Sequence, residues 1–209
     1  MTDEEFAQIL ARGYERNGEE FKPAGPATDG YLFAQVARAA LGMANRRDGG
    51  KVVIGINDTN HGLTPVGISA SDMPTWNYDD VAEKLSSYAD PSIRFELESH
   101  SHEGNQYIVL AVMEFDDIPV LCKKDYPKQN NREVLRKGAC YVRSRRKPET
   151  TEIPTQEDMR DLVDLATEKR LRKNLEQLRR AGGLIVPFQQ STPSLPAKEL
   201  FDKQLGDLR

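Results

Sequence analysis

The sequence predicts an α+β fold: a mixed, mostly antiparallel sheet with helices packed on its faces and a long helix at the C-terminal side. Three observations point there. Elements alternate as helix, strand, helix, strand, helix before a hairpin and further strands. A nearly continuous β-branched run, Val52, Val53, Ile54 and Ile56, reads as a strand buried on both faces. A long helical stretch runs from Gln156 to Arg180.

Taken in order, Thr2 caps a first short helix, with Glu5 three residues on and Phe6, Ile9 and Leu10 as its apolar face. Asn17-Gly18 signals a turn. Glu19–Lys22 is extended, with Glu20 and Lys22 on one face and Phe21 on the other, so that Phe21 enters the core while acid and base stand outside it. The loop Pro23–Gly30 holds two prolines and two glycines and excludes regular structure. From Tyr31 to Met43, apolar residues at helical spacing build a helix that Asn45 and Gly49-Gly50 close before the β-branched run. Asp58 is expected where that run stops, between turns marked by Gly62 and Gly67. A further helix spans Asp79–Ala89 and ends at Asp90-Pro91. Ile93–Ser99 and Gln106–Phe115 form a hairpin whose loop reads as longer than the tight two-residue type. Pro119–Cys122 and Cys140–Arg145 read as short strands flanking a polar, basic loop. Thr155 caps the long helix and Gly182-Gly183 stops it. Residues 1–185 are read as one domain, and 186–209 as a tail that is flexible or docks on a partner.

At 209 residues the chain can bury one proper core. No run approaches the roughly 18 apolar residues of a membrane helix, so no membrane partner is expected. Two cysteines, Cys122 and Cys140, supply neither a disulfide framework nor a four-ligand zinc site, and a reducing cytoplasm is the expected location. The net charge of -4 speaks against nucleic acid on average, but its distribution is uneven. Val120 to Lys147 carries ten basic residues against Asp125 and Glu133, while residues 1–20 carry six acids against Arg12 and Arg16. The two regions either pair internally or present the cations to a polyanion. Lys123, Lys124, Arg136, Lys137, Arg143, Arg145, Arg146 and Lys147, with Tyr141 as a stacking surface, are the candidate nucleic-acid contacts; the alternative is a solvated strand edge.

Glu15, Glu20 and Asp58 lie near one another if the Glu19–Lys22 strand pairs beside the β-branched run. Clustered carboxylates repel unless a cation sits among them, and oxygen-only clusters select Mg²⁺ or Mn²⁺ over zinc. Lys22 could then orient a metal-bound water or offset developing charge. His100 and His102, at spacing two, read as a solvent-facing pair, and Trp76 and Tyr78 as loop anchors. Leu162, Leu165, Leu171, Leu175 and Leu178 read as core or a dimer seam.

The series Glu15, Glu20-Phe21-Lys22, a Pro/Gly loop, Ala44-Asn45, Gly49-Gly50, Val53-Ile54-Gly55-Ile56, Asp58, Gly62 and Gly67 resembles the AlbA-type domain of the Schlafen family. Pro119-Val120 and Tyr141-Val142-Arg143 are similar to its later strands, and the resemblance covers roughly residues 13–165. It implies a metal-dependent endoribonuclease acting on structured RNA such as tRNA, with Glu15, Glu20 and Asp58 as catalytic metal ligands for Mg or Mn and Lys22 assisting. Alternatives carried by the same resemblance are a non-catalytic module binding RNA or DNA and a nucleotide-binding regulatory domain that takes ATP. Two departures stand out: Glu19 replaces the usual apolar residue before Glu-Phe-Lys, and Ser144 follows Arg143 where glycine is common. The chain lacks the duplicated lobe of the vertebrate members, which implies a homodimer if two lobes must enclose an RNA.

Overall fold

The computed structural model describes residues 1–59, 62–127, 134–144 and 149–182. Two compact units divide the chain, Met1–Leu171 and Arg172–Arg209; in the second, the described residues continue the last helix to Arg180 and a turn.

Four α-helices are present among the described residues: α1 Asp3–Arg12, α2 Gly30–Ala44, α3 Tyr78–Tyr88 and α4 Gln156–Arg180. Ten strands accompany them: β1 Glu19–Lys22, β2 Gly50–Ile54, β3 Ile56–Thr59, β4 Gly62–Pro65, β5 Ala89–Asp90, β6 Phe95–His102, β7 Asn105–Val112, β8 Leu121–Cys122, β9 Tyr141–Arg143 and β10 Thr150–Glu152. The main sheet has the order β1-β2-β7-β6. Its β1-β2 pair is parallel, with Glu20 opposite Val52, and the other pairs are antiparallel. The expected α+β class and long C-terminal helix are thus observed.

Both faces of this sheet are covered. On one, Phe6, Ile9 and Leu10 of α1 pack on Phe21, Val53, Tyr107 and Val109. On the other, α2 covers Val52, Ile54, Ile108 and Leu110. Nearly every residue of α2 from Leu32 onward is buried, because the helix also meets β9 and β10 on its far side. A helix that is apolar all round has no solvent face to keep polar. The expected caps are observed: Thr2 and Glu5 form a reciprocal capping box, and Thr155 accepts the Asp158 N–H. Asp29, within the stretch read only as a loop, also caps α2 by accepting from the N–H groups of Tyr31 and Leu32.

Several expectations are corrected. The β-branched run is two strands, because Gly55 adopts φ +112° and a side chain there would meet Tyr107 at 2.9 Å. Its carbonyl instead receives the N–H groups of Val66 and Gly67, and β3 leaves to form a separate hairpin with β4. The β6-β7 hairpin turns on two residues, Glu103 and Gly104, both at positive φ, and is the tight type. His100 is buried rather than solvent-facing; its ring nitrogens lie 2.9 Å from carboxylate oxygens of Asp3 and Glu98, and Phe6 stacks on it. The leucine stripe of α4 needs no such correction: Leu162 and Leu165 are buried in the core, and Leu171, Leu175 and Leu178 are exposed. Trp76 anchors its loop as expected, donating its indole N–H to the Gly25 carbonyl. Tyr78 is exposed and stacks on Phe95.

Candidate functional site

β1 is an edge strand of the main sheet, and its open side is where the acids gather. Gly13 caps α1 in a left-handed conformation and turns the chain, so that Glu15 returns alongside β1. There its Oε1 accepts the backbone N–H of Phe21 at 2.6 Å, satisfying a donor of the edge strand. Glu20 projects to the α2 side of the sheet, as its pairing opposite Val52 requires, and is 8% exposed. The acid therefore does not stand outside the core.

A cation from far along the chain meets both acids. The Arg143 side chain, on β9, is sealed from solvent and makes four hydrogen bonds: Nη1 to Glu20 Oε2 at 2.7 Å, Nη2 to Glu15 Oε2 at 3.0 Å and to the Glu19 carbonyl, and Nε to the Asn17 carbonyl at 3.3 Å. Lys22 donates to Glu20 Oε1 at 2.5 Å, and Thr150 of β10 donates its hydroxyl to Glu20 Oε2. Thr150 reaches this position because Gly42 of α2 has no side chain; a Cβ there would stand 2.6 Å from the threonine methyl. Burial alone would push the Glu20 carboxyl up, but the Lys22 and Arg143 charges and the donated hydrogen bonds outweigh it and hold the group below the usual carboxylate range. Glu19, the charged departure before Glu-Phe-Lys, is taken by a bidentate pair with Arg12 at the end of α1, at 2.8 and 3.0 Å.

Asp58 is not part of this group. It is exposed on β3, opposite Leu63, and has no partner among the described residues. Alternation puts it on the same face of β3 as Ile56, whose side chain packs on the α1 side, whereas Glu20 lies on the α2 side. Among the described residues no group of three or more His, Cys, Asp or Glu is arranged to hold a metal ion. The residues as placed do not fit a carboxylate-bound Mg or Mn ion.

The basic candidates separate by burial. Tyr141 and Arg143 are buried, so in place of an open groove with a stacking ring, the tyrosine hydroxyl accepts the Arg136 backbone N–H and the arginine serves the acids. Lys123, Lys124, Arg136 and Lys137 are exposed. An antiparallel bridge between Tyr126 and Leu135 draws their two segments side by side, and Asp125 accepts the Lys137 backbone N–H at 2.7 Å. Lys124 rests its ammonium 4.4 Å over the Tyr88 ring, and Arg136 forms a surface pair with Glu152. Arg145, Arg146 and Lys147 lie outside the described residues.

Thr150 was not legible as a site residue, although the β-branched run Thr150-Thr151 before Pro154 was a strand signal. Asn45 does more than close α2. Its buried side chain accepts from Val120 N–H at 2.7 Å and donates to the carbonyls of Val120 at 2.8 Å and Tyr141 at 2.9 Å, fixing the chain on either side of the basic segment.

A family model described as Schlafen, AlbA_2 matches residues 15–152, which include Glu15, Glu20, Asp58 and Arg143. The chain belongs to the Schlafen AlbA_2 family. Among solved structures, this AlbA_2 chain is 13% identical to the DIP2311 protein of Corynebacterium diphtheriae, with a TM-score of 0.48 over 75% of this chain and 27% of that one. It is 22% identical to the N-terminal domain of a protein of Nitrosomonas europaea described as related to the ATP-dependent DNA helicase RecG, with a TM-score of 0.46 over 64% of this chain and 88% of that domain. The AlbA_2 chain thus spans 27% of the length of DIP2311. No curated protein matches it.

Proposed function

We propose that this AlbA_2 chain is a nucleic-acid-binding module that grips RNA or DNA through the phosphate backbone. The observation that supports this most is the exposed set Lys123, Lys124, Arg136 and Lys137, held on adjoining segments by the Tyr126-Leu135 bridge within a stretch of ten cations and two anions. Of the described cations in that stretch, Arg143 is buried against the N-terminal acids, whereas Lys123, Lys124, Arg136 and Lys137 are exposed. The Arg136-Glu152 pair is half exposed and weak enough to yield to phosphate. No helix among the described residues is long and apolar enough to cross a membrane.

Fluorescence anisotropy with labelled tRNA and with a DNA duplex tests this directly. Binding should weaken steeply with salt and fall further in a Lys123→Glu/Lys124→Glu variant. Affinity that ignores both would overturn it.

The finer possibility, endoribonuclease activity with Glu15, Glu20 and Asp58 around a metal, is supported by family membership and by the meeting of Glu15 and Glu20 on one guanidinium. The separate location of Asp58 weighs against it. Incubation of tRNA with the chain and Mn²⁺ should leave the RNA intact. Cleavage by the wild type that is lost in Glu20→Ala and in Asp58→Ala would replace the binding-only reading. The nucleotide-binding alternative draws nothing from Gly49-Gly50-Lys51: a side chain at Gly49 would strike the Val112 carbonyl, so these glycines serve the close passage of α2 into β2.

A further inference from the structure

We propose that Arg143 is the resident cation of the Glu15-Glu20 pair: its guanidinium sits where a divalent ion would have to sit, and the wild-type chain holds both acids without a metal. Each of the four carboxylate oxygens already has a donor. Glu15 Oε1 takes the Phe21 N–H and Oε2 takes Arg143; Glu20 Oε1 takes Lys22 and Oε2 takes both Arg143 and Thr150. Two negative side chains face two positive ones, so the cluster is neutral as built. Adding a divalent ion would leave an uncompensated double charge beside a fully enclosed guanidinium. Such an ion also needs about six oxygen ligands, whereas the lone pairs here are aimed at N–H and O–H groups.

The planar fork of arginine suits this place and a lysine would not, since two separate carboxylates and two backbone carbonyls are served by one rigid group. The consequence is mechanical. Arg143 ties the turn after α1, the edge strand β1 and the β9-β10 pair into one unit, and so sets where the basic segment leaves the sheet. Arg143 acts here as a positioning residue. The assignment stands apart from nucleic-acid binding, because its readouts use the chain alone.

The test is Mn²⁺ binding by electron paramagnetic resonance, together with thermal melts of the full chain in EDTA and in millimolar Mn²⁺. The wild type should retain no bound Mn²⁺ and melt at the same temperature in both. Arg143→Met should lower the melting temperature by about 10 °C, and adding Glu15→Gln and Glu20→Gln to it should recover part of that loss by removing the unpaired buried charges. If Arg143→Met does not fold, Arg143→Lys replaces it, with a smaller drop expected because one ammonium cannot reach both acids. Mn²⁺ held by the wild type and lost in Glu20→Gln overturns the assignment. A folded Arg143→Met or Arg143→Lys variant that melts at the wild-type temperature overturns it as well.

Discussion

The carboxylate of Glu20 and the guanidinium of Arg143 stand 2.7 Å apart, the arginine side chain fully enclosed and the glutamate nearly so. The pair links two strands that are not hydrogen-bonded to each other in any sheet, β1 and β9. Because Lys22 and Thr150 complete the shell around Glu20, its charge is a built-in part of the fold.

Stability should therefore depend on acid pH through Glu20. Its folded value lies below the ordinary glutamate value of 4.5, so its contribution is fully present above that value and is lost as the pH falls through the lower, folded one. Glu98 and Glu114 are lowered as well and act in the same direction. Thermal melts from neutral pH downward should show a steep fall in the acid range. Glu20→Gln should melt lower at neutral pH and fall less steeply. Parallel curves for the two proteins would show that Glu20 carries no such linkage.

Asn45→Ala should destabilise the chain strongly. The substitution leaves the Val120 N–H and the Val120 and Tyr141 carbonyls without their side-chain partner inside the protein. At about 1–3 kcal/mol for each unsatisfied buried group, a loss of about 3 kcal/mol or more is expected. Urea denaturation measures it, and a loss below about 1 kcal/mol would mean that water or a backbone shift satisfies these groups.

Cys140 should be inert in the native protein. Burial pushes its thiol up to about 11, and Cys122 is raised by the same cause. At about pH 8 the thiolate that reacts is scarce at both positions, so a disulfide reagent should titrate neither until denaturant is added. Fast labelling of one thiol under native conditions would show that the segment carrying it opens.

The salt dependence of polyanion binding should report the exposed cations individually. Lys123→Ala and Lys137→Ala should each reduce the slope of log affinity against log salt by about 0.7–0.9 while weakening RNA and DNA alike. Buried Arg143 should behave differently, with Arg143→Lys changing melting temperature more than slope. An equal effect on slope from Arg143→Lys would place that guanidinium on the nucleic acid.

Local patterns made much of the fold legible. The capping pair Thr2-Glu5, the Thr155 cap and the apolar spacing of α2 each act within one or two turns of chain, and the helices begin and end close to where those signals lie. The Gly55 break was harder to see, because a single glycine in a β-branched run looks like an interruption until a ring such as Tyr107 is found against it. The same holds for Glu20. Alternation correctly separated it from Phe21, but a two-sided sheet has no outer face, and that is known only once α1 and α2 lie on opposite sides.

By itself the sequence determined the alternation of elements, the family and the concentration of cations after Val120, since each depends on period, capping or composition. It did not determine which charge answers which. Glu20 and Arg143 are 123 residues apart, and Glu15, Glu20 and Asp58 looked like one set because they share a charge and lie on or beside two strands expected to pair. Only the tertiary structure decided that an arginine occupies the space between two of them and that the third faces solvent on another hairpin. A buried charge must be met by an opposite one, and which residue supplies it is fixed by the packing of distant segments.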